Sequence, residues 1–415
     1  MSTLESSSGA GRIALAYPSF VLFQLARFFI VLSAEMQSVA VGWQVYEITR
    51  RPLSLGLVGL AQFLPGILLF LVAGHAADRY ERRGLIVWCY SGSAACSGAL
   101  LYLAVRGVHS PYPIYAVLLF LGVVRSFSGT ATRAFLPQLV PAKDFQNAVA
   151  WASVSFQSTV ILGPSAGGIV YAVAQGPAAV YALSFFAAIA AAVCILKIKA
   201  QSVERAPEPL SWKTTLAGLG YIWREKLILG SISLDLFAVL LGGAVALLPV
   251  YAKEILLTGP WGLGLLRSAP AAGAAAVAVL FAHKPLGRHA GSTMLWCVAG
   301  FGLATIFFGI SRNLIVSLLA LFLVGATDMV SVMVRQMLIQ LGTPDEMRGR
   351  VNAVDSVFIG ASNELGQFES GLTAQWFGTV PAVVVGGLGA IVVTGLWAWS
   401  FPELRKTQQL TKSIS

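Results

Sequence analysis

Nine ionisable side chains stand inside long apolar runs of this chain: Arg27, Glu35, Arg125, Asp235, Arg267, Asp328, Asp355, Glu364 and Glu369. A charge at the centre of a hydrocarbon layer costs about 2.5–3.5 kcal/mol on insertion scales, so each needs a partner, water or a function. The chemistry available to the carboxyls is proton exchange, because burial raises a carboxyl pKa and a nearby cation lowers it again. Glu35, Asp328, Asp235, Glu364 and Glu369 are therefore candidates for a group that alternates between protonated and ionised forms. Glu35 ranks first, with no basic neighbour in sequence, and Asp328 second. Asp355 lies nearer the end of its run and reads as structural. Asn363 and Gln367 extend the polarity around Glu364 and Glu369, a stretch expected to meet either a ligand or a neighbouring part of the protein.

Those residues need elements to hold them, and the composition says which. The chain has 415 residues, 57% hydrophobic and only 11% charged. Soluble domains carry about 25% charged residues, so a soluble fold of this size would lack the polar surface it needs. Mean hydropathy is +0.76. Twelve apolar segments reach the length of about 20 residues that a membrane-crossing helix requires: 19–45, 54–77, 84–106, 113–138, 147–173, 177–197, 228–252, 259–282, 289–310, 313–339, 353–377 and 380–401. None alternates apolar with polar as a membrane β-strand does. The polar stretch before residue 19 lacks the order of a signal peptide, and it is expected to be retained.

Lys and Arg set the orientation. With the N-terminus in the cytoplasm, 20 basic residues fall on the cytoplasmic side and five on the other. Arg335 is counted there with the cytoplasmic set. This asymmetry explains the net charge of +10 by the positive-inside rule, without nucleic acid. Both termini are expected in the cytoplasm.

The long hydrophilic interruption around residues 198–226, ending in an amphipathic-looking segment, divides six spans from six. Halves 1–197 and 227–415 also share a repeat. Gln138-Leu139…Asn147-Ala148-Val149 corresponds to Gln340-Leu341…Asn352-Ala353-Val354, and Leu55-Gly56-Leu57 to Leu263-Gly264-Leu265. The repeat sets Arg27 against Asp235 and Arg125 against Asp328, basic in the first half and acidic in the second. These four are candidates for ion pairs, either between the halves or within each half. The expected fold is an all-α polytopic membrane protein with twelve transmembrane helices in two pseudo-symmetric six-helix bundles, a known transporter architecture.

Four motifs carry a family resemblance. The loop after the second span reads Gly74-His75-Ala76-Ala77-Asp78-Arg79-Tyr80-Glu81-Arg82-Arg83. It resembles the G-x-x-x-D-R-x-G-R-R signature of the major facilitator superfamily, with Glu81 in place of Gly. The resemblance implies a gating role for this loop, with Gly74, Asp78, Arg79, Arg82 and Arg83 at its signature positions. It also implies that Arg27, Arg125, Asp235 and Asp328 face a central cavity. Arg125-Ser126-Phe127-Ser128-Gly129 resembles the superfamily's R-x-x-x-G pattern; proton transfer and a structural ion pair are both open readings. Gly163-Pro164-Ser165-Ala166-Gly167-Gly168 looks like the G-P-x-x-G-G motif of drug–proton exchangers, with Thr159 where a further Gly is expected. The Val39–Tyr46 and Met347–Val351 strings are similar to the branch that includes the enterobactin exporter and macrolide and multidrug efflux proteins.

The resemblance implies a proton-coupled exporter of small amphipathic or drug-like molecules in a bacterial cytoplasmic membrane, acting by alternating access. A metabolite importer or facilitator, or a dedicated exporter of a siderophore or lipid-like substrate, is the alternative on the same fold. The partners expected are a small molecule, protons and the lipid bilayer, with the chain acting as a monomer. No catalytic set, metal site or cofactor is expected: the four Cys and four His lack ligand spacing, and no G-x-x-x-x-G-K-[ST] string for nucleotide is present.

Overall fold

In hydrocarbon every backbone N–H and C=O must be satisfied internally, and a helix does this within one segment. The computed structural model, which describes residues 13–198, 212–283 and 290–406, is accordingly built of helices, with no strand among the described residues. In the first part of the chain these are α1 (Pro18–Thr49), α2 (Pro52–Arg79), α3 (Arg82–Val105), α4 (Tyr112–Phe135), α5 (Phe145–Val173) and α6 (Ala178–Leu196). In the second they are α7 (Trp212–Arg224), α8 (Lys226–Leu241), α9 (Gly259–His283), α10 (Ala290–Ile310), α11 (Leu314–Gly342), α12 (Asp345–Phe377) and α13 (Thr379–Ser400). Pro opens α1 and α2, where its missing N–H is harmless. The Asn313 side chain caps α11 by accepting from the amides of Ile315 and Val316 at 2.9 and 3.3 Å. Gly378, at φ +91°, turns the chain from α12 into α13 through backbone space that L side chains rarely enter.

Among the described residues, eleven segments are long and apolar enough to cross a membrane. The expected span at 353–377 is absent from that set. Its helix, α12, has 33 residues, about 50 Å at 1.5 Å per residue, so length is no obstacle. Polar side chains such as Asp355, Asn363, Glu364, Gln367 and Glu369 lower its hydropathy instead; of these Asp355 is buried, Glu364, Gln367 and Glu369 are half-buried and Asn363 is exposed.

The chain divides into two compact units, Met1–Val41 with Leu64–Leu210, and Gly42–Phe63 with Ser211–Ser415. The division cuts through α1 and α2, so the end of α1 and the start of α2 pack with the second unit. In the first unit, Phe20, Phe23, Ile86, Tyr90, Phe135 and Ile195 form the core. Ser33 and Ser184 join α1 to α6 by exchanging hydroxyl-to-carbonyl hydrogen bonds of 2.9 and 3.2 Å. The second unit has two clusters, one around Leu234, Met294 and Val334 and one around Ile222, Ile228 and Val351. The amphipathic α7 belongs to the latter cluster, and its Tyr221 hydroxyl donates to the Gly342 carbonyl at 2.9 Å. After α8 the helix is broken: Gly242 and Gly243 lead into a 3-10 turn, Ala244–Leu247, and a π turn, Tyr251–Ile255. Broken helices at membrane depth are tolerated where protein or a cavity surrounds them.

Candidate functional site

The break after α8 opens onto a cavity of about 390 Å³ in the second unit. Val239 of α8, Pro270 of α9 and the break itself line part of it, and three further helices supply the rest with faces set by helical periodicity. From α10 come Phe301, Thr305 and Phe308; from α11, Leu321, Val324, Gly325 and Asp328; from α12, Gly360, Asn363, Glu364 and Gln367. Spacings of three and four residues place each set on a single face. The walls are apolar except for two carboxylates, two amides and the Thr305 hydroxyl. The Gln367 amide donates to Glu364 Oε2 at 3.1 Å. Asp328 is half-buried, and among the described residues none donates a hydrogen bond to its carboxyl.

A sealed charge cluster adjoins Asp328. Three and seven residues further along α11, Ser331 and Arg335 extend the same face. Arg335 is only 1% exposed, Asp235 5% and Asp355 4%. The Arg335 guanidinium donates to Asp235 Oδ2 and lies with Nε 3.4 Å from Asp355 Oδ1. Ser331 donates to the other Asp235 oxygen at 3.4 Å. Asp328 is close enough to interact electrostatically with both Asp235 and Arg335. Placing Arg335 in a cytoplasmic segment is therefore corrected: it stands inside α11, buried, between carboxylates contributed by α8 and α12. Within this unit Asp235 takes Arg335 as its partner.

Glu369, on α12, accepts from the Thr373 hydroxyl at 2.7 Å. The opening turns of α2 pack against this same helix. A Cβ placed on Gly56 would lie 3.0 Å from the Phe368 Cα, and one on Gly371 would lie 3.0 Å from the Pro52 carbonyl oxygen. Glu364 reaches the same seam, where a Cβ on Gly59 would sit 2.9 Å from its Oε2. A polar cluster holds the end of α1 to the π turn. Tyr46 donates to Glu254 at 2.6 Å, and Lys253 donates to Glu47 at 2.8 Å. The Lys253 ammonium also stands 5.0 Å from the Trp43 ring centroid.

The first unit holds the remaining candidates apart from these. Arg125 lines a cavity of about 50 Å³ with Ser33, Gln37, Ser93, Ser97 and Ser128; the Ser97 hydroxyl donates to Gln37 at 2.7 Å. The Arg27 guanidinium stands 5.9 Å from the Phe23 ring centroid. Glu35, half-buried, lies where α5 crosses α1: a Cβ on Gly163 would fall 2.5 Å from the Glu35 Cβ, and one on Gly167 would fall 2.8 Å from the Met36 Cα. Pro164 and Gly168 are buried in the same stretch of α5. At the end of α2, Gly74 is buried and Arg79 exposed; the Asp78 side chain lies outside the described residues. Arg82 donates to the Ala134 carbonyl at 2.8 Å and Arg83 to the Ile195 carbonyl at 3.3 Å. Both arginines thus bind the C-terminal carbonyls of helices, where cations are favoured.

Arg335 and the seam formed by the start of α2 escaped sequence reasoning. Arg335 sits two turns from a helix end and reads as a topology signal, while its carboxylates are 100 and 20 residues away. The seam had a trace in Leu55-Gly56-Leu57, which reads there as half of a repeat.

The architecture is that of a major facilitator superfamily transporter. It matches a bacterial homologue of the human lysosomal transporter Spinster, in an inward-facing and occupied conformation, with a TM-score of 0.71 at 12% identity over 95% of this chain and 99% of that one. It also matches a D-xylose–proton symporter with a TM-score of 0.69 at 14% identity over 93% and 98%. The family model described as a transmembrane secretion effector (MFS_3) matches residues 13–413, and the chain belongs to that family. In sequence it is 26% identical to the enterobactin exporter EntS of Shigella boydii serotype 4 (strain Sb227) over 402 residues, 96% of this chain and 95% of that protein. It is likewise 26% identical to the EntS of Citrobacter koseri over 396 residues, 95% and 94%. The protein is a multi-span helical membrane transporter.

Proposed function

We propose that this transporter is a proton-coupled exporter of small amphipathic molecules, working by alternating access between halves 1–197 and 227–415 joined by the segment 198–226. The observation that carries the reading is the cavity of about 390 Å³ with Asp328 on its wall and the Asp235–Arg335–Asp355 cluster beside it. A volume in the range of small-molecule sites, about 300–1,000 Å³, is joined there to carboxyls able to trade a proton. Asp328 is the first candidate for that trade in the second unit, with Asp235, Glu364 and Glu369 behind it, and Glu35 is the candidate in the first. Arg27 and Arg125 supply positive charge to the other half of the pathway. Asp78, Arg79, Arg82 and Arg83 form the cytoplasmic gate. The orientation has both termini in the cytoplasm of a bacterium and the chain in its inner membrane.

A second reading is a dedicated siderophore exporter. The relatives called enterobactin exporters, alike over nearly the whole chain, favour it. Transport in proteoliposomes under an imposed pH gradient, against dyes, antibiotics and siderophores, tests both readings. Gradient-driven movement of several unrelated amphiphiles supports the first reading, and movement of siderophores alone supports the second. Movement that ignores the gradient overturns proton coupling.

A further inference from the structure

We propose that Asp355 takes up the proton that unties α12, the helix forming one wall of the cavity. The inference rests on the transport reading above and deepens it, by naming the carboxyl at which proton binding becomes movement of that wall.

The sealed cluster is uneven. Asp235 is held by two donors, the Arg335 guanidinium and the Ser331 hydroxyl. Asp355 has the weaker hold. Its Oδ1 faces the Arg335 Nε at 3.4 Å, and neither atom has a hydrogen-bond partner among the described residues. One guanidinium therefore serves two carboxylates that are 5% and 4% exposed. A buried charge short of hydrogen bonds is neutralised rather than left bare. An incoming proton thus goes to Asp355 and leaves Arg335 with Asp235. The carboxylate becomes a carboxylic acid and loses its ionic tie to Nε, and no other bond changes.

The charges acting on Asp355 are those of Arg335 on α11 and Asp235 on α8, and Asp328 on α11 acts on both of these. The other helices packed on α12 there add none among the described residues. α13 contains no titratable residue, and on α7 the Tyr221 hydroxyl is engaged by Gly342 while Arg224 is exposed. Earlier on α12 itself, Arg348 turns to the Thr343 carbonyl and Arg350 to the Met347 sulfur.

The position of the tie gives it leverage. Asp355 precedes Asn363 by about two turns of α12, and Arg335 follows Asp328 by about two turns of α11. Asn363 and Asp328 both line the cavity, so the tie joins two of its walls beyond its polar end. α12 runs unbroken for 33 residues without proline. Past the cavity the same helix packs against the start of α2, at Phe368 and Gly371. A helix released at Asp355 is free to shift the cavity wall and the α2 seam together.

Hydrogen–deuterium exchange of the purified full-length protein in nanodiscs, corrected for the intrinsic rate at each pH, reads the tie. In the wild type, protection around residues 352–363 and at the start of α2 should fall at least threefold as the pH drops from about 8 to about 5, the range over which local opening follows the proton. Asp355→Asn mimics the protonated acid and should show the low protection at every pH. Asp355→Glu should restore the pH response. Asp235→Asn leaves the whole guanidinium to Asp355 and should raise protection at the acid end. A thermal unfolding profile separates a lost tie from a lost fold, and Asp355→Glu with Asp235→Asn carries the test if Asp355→Asn fails to fold. Protection that ignores pH in the wild type overturns the proposal, as does a pH response undiminished in Asp355→Asn. Gradient-driven transport by a wild type whose α12 ignores pH overturns the role of Asp355 and leaves the transporter reading standing. A pH response lost in Asp355→Asn, without gradient-driven transport of any dye, antibiotic or siderophore tried, upholds Asp355 as the proton site and removes the proton-coupled reading.

Discussion

Replacing Arg335 with Met should be among the most damaging single changes in the second unit. The guanidinium is buried and serves two carboxylates, with Asp235 in direct contact and Asp355 at 3.4 Å. At an effective dielectric of about 20, one ion pair near 4 Å is worth roughly 4 kcal/mol. Removing one partner from a buried pair costs about 3–5 kcal/mol, because the other charge is stranded. Two carboxylates are stranded here, so the loss belongs at the upper end, about 5 kcal/mol. For a domain of 150–250 residues each kcal/mol moves the midpoint by roughly 2–4 °C, so the fall in unfolding temperature is on the order of 10–20 °C. Tryptophan fluorescence on the purified full-length protein in detergent reads it directly. Arg133→Met is the control, since Arg133 is exposed and surface changes stay within about 0.5 kcal/mol. Combining Arg335→Met with Asp235→Asn and Asp355→Asn removes the stranded charges and should restore at least half of the loss. The reasoning fails if Arg335→Met unfolds with the wild type, or if the triple variant is no more stable than the single one.

Three other changes follow from the packing. Gly56→Val places branched carbons against the Phe368 backbone, 3.0 Å from where the Cβ itself would stand; transport should fall at least tenfold while the protein is still recovered folded by size-exclusion chromatography. Gly167→Leu forces α5 off the Met36 backbone and should cost about 1–3 kcal/mol by overpacking, seen as a lower unfolding midpoint. Lys253→Met breaks the bond to a half-exposed Glu47; such pairs are worth about 0–1 kcal/mol, so the unfolding midpoint should hardly move.

Much of the helical layout is written in the chain, because hydrocarbon allows few alternatives to a long apolar helix. The expected runs at 177–197 and 259–282 appear as α6 and α9 within a residue or so at each end. The polarity of α12 was visible too, and it both marks the lining of the cavity and takes that helix out of the apolar set. What the sequence conceals is pairing at long range. Hydropathy places Asp235, Arg335 and Asp355 in separate runs, and only packing brings them together. Glycine spacing shows that two helices can approach closely, but Gly56 does not reveal that Gln367 and Phe368 are its neighbours. The grouping of 42–63 with the second unit is equally silent, since α1 and α2 each run without interruption through the boundary.

The central claim is that carboxyls at the cavity of the second unit couple substrate movement to protons. Its most direct test is substrate-evoked proton flux across proteoliposomes containing the full-length wild-type protein or Asp328→Asn, with a pH-sensitive dye trapped inside. The account predicts that adding a transported compound to wild-type vesicles moves protons in the opposite direction, and that Asp328→Asn abolishes this flux while remaining folded. Substrate movement with no accompanying proton flux, or a flux undiminished in Asp328→Asn, would contradict it.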